Sequence, residues 1–125
     1  MPRVLIADDE NSMRTLVARA IAVDGHEIVT AADGAEALEI LGGEQAPFDL
    51  LLTDIQMPVM DGIALALAAA RDYPDLTILL MTGFADQRER ASGLNAIAHD
   101  VITKPFSVAD IRTAVADALA ARKGG

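Results

Sequence analysis

Five polar side chains in this sequence stand where short apolar runs stop. "RVLIA" leads into Asp8 and Asp9, "DLLLT" into Asp54, "TILLM" into Thr82, and "VIT" into Lys104. A carboxylate directly after such a run is unexpected, because burying it unpaired forfeits several kcal/mol of hydration. Carboxylates that converge also repel one another and need protons or a cation. A hard divalent ion with oxygen ligands meets that need, and Mg2+ suits a site that also handles phosphate. A central carboxylate could then act as a nucleophile and form an acyl phosphate. The metal, an ammonium and a hydroxyl would take up charge on the transferring phosphoryl oxygens.

Such a site needs elements that bring these residues to one place. The runs at 3–7, 27–31, 49–53, 77–81 and 101–103 read as strands by length and β-branched content. Four helical patterns lie between them and a fifth closes the chain. Asp33 with Glu36, Asp86 with Glu89, and Ser107 with Asp110 have the spacing of helix-capping pairs, and Asp61 precedes the third helix as a cap. Gly25 and Gly42-Gly43 are stops for the first two helices, and Pro74 follows the third. Met13, Leu16, Val17, Ala20 and Ile21 make an apolar face on the first helix; Ile111, Val115, Ala118 and Leu119 do so on the last.

Five β/α units in a row imply an α/β fold, a doubly wound five-stranded parallel sheet. Ligands of such sheets bind beyond the carboxyl ends of the strands, where the winding reverses. In the flavodoxin-like order 2-1-3-4-5, known from other doubly wound proteins, that point lies between strands one and three. Those strands carry Asp8, Asp9 and Asp54.

The 125 residues fit one domain, and 52% hydrophobic content argues against disorder. A formal charge of −9 disfavours direct binding of DNA or of an anionic membrane. The absence of Cys excludes disulfides, thiolate metal sites and thiol catalysis. "MPRVLIADDE" is neither a signal peptide nor a membrane span, so a cytoplasmic protein is expected. The expected domain covers 1–121, with 122–125 a short tail. His26 and His99 show no ligand spacing, and Met57, Met60 and Phe106 read as packing residues.

The motifs "VLIADDE", "LLLTDIQMPVMDG", "MTG" and "TKPF", in this order and spacing, resemble the response regulator receiver domains of two-component signalling. The resemblance covers essentially the whole chain. It implies that Asp54 is the phosphoacceptor, with Asp9, Asp54 and the Gln56 backbone carbonyl ligating Mg2+ and Asp8 acting through water. It further implies that Thr82 is the switch hydroxyl, that Lys104 pairs with the phosphoryl oxygens, and that a cis peptide bond precedes Pro105. Where many receivers carry a switch aromatic, this chain has Val101, whose β-branched side chain sweeps little surface when it changes rotamer. Phe84 and Gln56 are placed to affect hydrolysis of the acyl phosphate.

"MPVMDGIALAL", "DYPDL", "ILLMTG" and "VITKPF" further resemble the CpdR group of single-domain regulators. That implies phosphate from a histidine kinase or histidine phosphotransferase, and a downstream protein partner, the ClpXP protease or its substrates, in cell-cycle control. The output would be a protein contact surface around the fourth helix, fifth strand and fifth helix. The receiver would then be no enzyme beyond its own phosphorylation and dephosphorylation. A phosphate sink or relay is the nearest alternative. An aspartyl-nucleophile phosphatase is disfavoured, because such enzymes usually place an acid where Gln56 stands.

Overall fold

Strands apolar at consecutive positions have no wet face, so they belong in a sheet covered on both sides. The computed structural model describes residues 2–43, 47–83, 92–94 and 96–124, and it contains such a sheet. Five parallel strands, β1 (Arg3–Ala7), β2 (Glu27–Ala31), β3 (Leu50–Asp54), β4 (Thr77–Thr82) and β5 (Asp100–Thr103), lie in the order 2-1-3-4-5. Among the described residues the α-helices are α1 (Asn11–Ala22), α2 (Gly34–Leu41), α3 (Gly62–Asp72) and α4 (Val108–Gly124).

Alternation along the strands sorts their side chains between two cores. Ile6, Leu50, Leu52, Leu79 and Met81 pack with Val17 and Ile21 of α1 and with Ile111 and Val115 of α4. Leu5, Leu51, Ile78 and Leu80 pack on the other face with Leu41 of α2 and with Leu65 and Ala69 of α3. Each fully buried Leu or Ile contributes about 1.5–3 kcal/mol, so the central strands are held firmly. Edge strands β2 and β5 are only partly covered.

Three of the expected caps form. Asp33 Oδ1 accepts from the Glu36 amide at 2.8 Å, and Asp61 Oδ1 accepts from the Ala64 amide at 2.9 Å. Ser107 and Asp110 bond reciprocally, at 3.0 and 3.1 Å. A cap of this kind contributes typically ~1 kcal/mol.

Four elements and one side chain differ from the sequence reading. β3 starts and ends one residue later than expected, so Asp54 is its last residue. β4 takes in Thr82, and β5 begins at Asp100. Leu16 is 47% exposed, because it sits on the margin of the α1 face whose centre is Val17, Ala20 and Ile21. α4 continues to Gly124, into the stretch read as a tail. The expected fourth helix starting at Asp86, and Phe84 before it, lie outside the described residues. Ser92–Leu94 forms a single 3-10 turn ahead of β5.

Gly62 opens α3 against the backbone of Asp54. A Cβ there would overlap the Asp54 carbonyl oxygen and meet the Asp54 carbonyl carbon at 2.8 Å and Ile55 Cα at 2.9 Å. Helix propensity alone would make Gly62→Ala stabilising by up to ~1 kcal/mol. The overlap reverses the sign, and a loss of about 1–3 kcal/mol is expected. A lowered urea midpoint at unchanged slope is the check; a raised midpoint would exclude the close approach.

Candidate functional site

Strand parity explains which groups meet. Residues 6, 50, 52 and 102 point to the α1/α4 face, and two residues on from 6, 52 and 102 stand Asp8, Asp54 and Lys104. Ala7 pairs with Thr53 in the β1–β3 register, which brings Asp8 level with Asp54. Lys104 lies two strands from Asp54, across β4, and its long arm spans the gap. Its Nζ is 3.4 Å from Asp8 Oδ2 and 3.4 Å from Asp54 Oδ1.

Carboxylate oxygens of Asp8, Asp9 and Asp54 lie within 4.8 Å of one another. Asp8 is fully buried, with Oδ1 accepting from the Glu10 amide at 3.0 Å and Oδ2 facing Lys104. Asp9 is exposed and Asp54 is 7% exposed. Burial pushes the Asp54 carboxyl above the usual carboxylate range; Lys104 pulls it back, and Asp8 pushes it further up. Asp9, Asp54, Gln56, Gly83 and Lys104 line an open cleft of about 490 Å³.

The chain around Asp54 is tied on both sides. Thr53 Oγ1 donates to the Asp54 carbonyl at 2.9 Å, and the Ile55 amide donates to the Met81 carbonyl at 3.1 Å. The Gly62 amide closes the following loop on the Ile55 carbonyl at 2.7 Å. A carboxylate ends this buried strand because both flanking peptides hold it at the tip.

Thr82 belongs to the other parity, following Ile78 and Leu80 toward the α2/α3 face. It is fully buried, and its hydroxyl has no hydrogen-bond partner among the described residues. The main chain beside it is fixed, with the Lys104 amide donating to the Thr82 carbonyl at 2.6 Å. Val101 pairs with Leu80 in register and packs half-buried in the same core, with Leu94 and Ile97 close by. The Lys104–Pro105 peptide bond is cis. His26 and His99 precede β2 and β5, at the opposite end of the sheet.

Two residues on the segments that follow β1 and β3 carry no obvious sequence signal. Val59 has φ 68°, in the left-handed region that β-branched residues avoid, and the Met60 amide closes a tight turn on the Pro58 carbonyl at 2.7 Å. Met60 in turn accepts from the Gly34 amide at 3.2 Å, which ties the loop to α2. Arg14 reaches back from α1 to the Asp8 carbonyl at 2.7 Å; its position in the first turn of a helix after three acids is the only sequence hint.

Carboxylates outnumber ammonium groups in this cleft, and the donors are hard oxygens. That composition fits a divalent cation such as Mg2+. A second cleft of about 480 Å³, lined largely by Leu41, Phe48, Tyr73 and Leu76, lies at the other end of the sheet. Among the described residues the only cluster of three acids is in the first cleft.

Residues 4–116 match the sequence pattern of the response regulator receiver domain. The chain belongs to this family. The receiver is 40% identical over 111 residues to the response regulator receiver protein CpdR of Brucella abortus, covering 89% of this chain and 91% of that one. It is 36% identical to the transcriptional regulatory protein PrrA of Mycobacterium tuberculosis, where it spans 98% of its own length and 52% of the relative's. A CheY-like receiver from Methanospirillum hungatei superimposes with a TM-score of 0.89 at 28% identity, over 99% of this chain and 98% of that one. The response regulator TrrA of Thermotoga maritima, solved in complex with Mg2+–BeF, gives 0.82 at 30% identity, over 94% and 98%. Among the described residues, no helix of the receiver is long and apolar enough to cross a membrane.

Proposed function

We propose that this receiver takes a phosphoryl group onto Asp54 from a phosphohistidine of a histidine kinase or phosphotransferase, with Mg2+, and acts through protein contacts that depend on that modification. The observation that carries this reading is the meeting of one ammonium, Lys104, with two carboxylates at 3.4 Å each, beside a third acid facing the cleft. An Asp54 carboxylate oxygen attacks phosphorus, and the donor P–N bond breaks as the new P–O bond forms. Lys104 follows the charge that develops on the phosphoryl oxygens. Asp9, Asp54 and the Gln56 backbone carbonyl would hold Mg2+, with Asp8 acting through water; the ion supplies charge neutralisation at the reacting oxygens. Thr82, a buried hydroxyl without a partner one pleat away, turns toward the new group and carries the change into the Val101 core.

Similarity to CpdR across 91% of that protein supports a CpdR-like output, for which we propose regulation of ClpXP-type proteolysis in the cell cycle. The first test is intact mass after incubation with acetyl phosphate. A single phosphoryl increment that requires Mg2+ is expected, and an unchanged mass together with no beryllofluoride-induced shift of the Thr82 amide signal would overturn the proposal. A pull-down in each state then separates an effector, which captures ClpXP components in one state only, from a phosphate sink.

A further inference from the structure

The loop from β1 to α1 has to present Asp9 to the cleft while Asp8 is fully buried beside it. Alternation along an extended chain separates the two side chains, and the orientation of the peptide between them sets how Asp9 faces the cleft. Among the described residues, the Arg14 side chain reaches that peptide. Arg14 Nη1 donates to the Asp8 carbonyl at 2.7 Å, and Nη2 donates to Asn11 Oδ1 at 2.7 Å. The Arg14 amide is itself bonded to the Glu10 carbonyl at 2.9 Å, in the first turn of α1. The guanidinium is a planar fork with its donors in set directions, so one arm anchored on Asn11 aims the other at Asp8.

Resting on the cation-binding reading of the acidic cleft, we propose that Arg14 is a positioning residue for Mg2+: it orients the Asp8–Asp9 peptide so that Asp9 faces the ion. Arg14 acts through the Asp8 carbonyl and not as a ligand, since a cation cannot coordinate another.

Charge and orientation have opposite consequences here. If Arg14 mattered only as a positive charge near the site, removing it would strengthen Mg2+ binding by lessening repulsion. If it orients the peptide, removing it weakens binding, by about tenfold for an outer-shell group of this kind. Arg14→Lys separates the two again, because it keeps the charge and loses the fork.

The experiment is a Mg2+ titration without phosphoryl donor, read on the amide signals of residues 8–9 and 54–56. Arg14→Gln and Arg14→Lys are each expected to bind about tenfold more weakly, and Asn11→Ala, which frees the other arm, to lose less in the same direction. Melting curves establish that each variant is folded; if both Arg14 variants unfold, Asn11→Ala decides by the same criterion. Folded variants that bind Mg2+ as tightly as the unaltered receiver, or more tightly, would overturn the proposal. Failure of the unaltered receiver to bind Mg2+ at all would instead overturn the reading of the cleft, and the role of Arg14 with it.

Discussion

Asp54→Asn is expected to gain no phosphoryl mass from acetyl phosphate at any Mg2+ concentration and, without Mg2+, to melt above the unaltered receiver. The first result follows from the nucleophile: an amide has no anionic oxygen to attack phosphorus. The second follows from burial. Asp54 is 7% exposed and faces Asp8, and both effects disfavour its charge more than Lys104 favours it. Its carboxyl therefore binds a proton more tightly in the folded chain than in the unfolded one, where 3.8 is the ordinary value. A raised acid of this kind stabilises the fold fully below the unfolded pKa, and that contribution is lost as pH rises through the folded pKa. The advantage of Asn should accordingly be small in strong acid, grow across the window that opens at 3.8 and closes at the raised value, and stay constant at neutral pH. A difference of ~1 kcal/mol is the scale for relieving one poorly compensated buried group. Mg2+ should narrow the gap by binding the unaltered chain better. Paired thermal melts across pH, with and without Mg2+, test all of this; an Asn variant no more stable at neutral pH would mean that Lys104 already compensates Asp54 in full.

The part of this site visible in the sequence is the part set by alternation and element order. Apolar runs ending in Asp8, Asp54 and Lys104 put all three on the same pleat, and the 2-1-3-4-5 order makes the first two neighbours. The ring of caps at Asp33, Asp61 and Ser107 was legible for a related reason: each depends on residues three apart and on nothing distant. What failed to show depends on contacts between segments. Asp54 reads as the residue just after its strand because Asp is depleted in strands, yet the pairing with Met81 makes it the last residue of β3. Nothing in Val59 announces a left-handed turn; the neighbouring bonds to Pro58 and Gly34 impose it. Gly62 reads as a turn residue, whereas its reason is the Asp54 backbone lying against it. Thr82 could be placed at the end of its strand but not turned toward one face, since parity sends it opposite to Asp54 and Lys104.

Lys104→Ala carries the other large expected effect, a drop of about 10²–10³-fold in the rate of phosphorylation by acetyl phosphate at saturating Mg2+. Two further signs go with it. The ammonium stands 3.4 Å from Asp8, whose side chain is 1% exposed, and 3.4 Å from Asp54. Removing it leaves buried negative charge with less compensation, so the metal-free fold should lose stability. The same loss makes the cleft more negative, so Mg2+ should bind the variant more tightly and restore much of that stability through linkage, about 2.7 kcal/mol at a hundred times Kd. A slower reaction combined with tighter metal binding is a pattern that local unfolding would not give, because a disordered cleft would bind Mg2+ less well. Stopped-flow rates over a range of Mg2+ concentrations, with melts of the same samples, separate the cases. A rate within threefold of the unaltered receiver at saturating Mg2+ would confine Lys104 to balancing charge in the resting state. A large drop that more metal cannot repair would place the ammonium on the transferring group itself, where a cation held by carboxylates cannot substitute for a donor reaching in from β5.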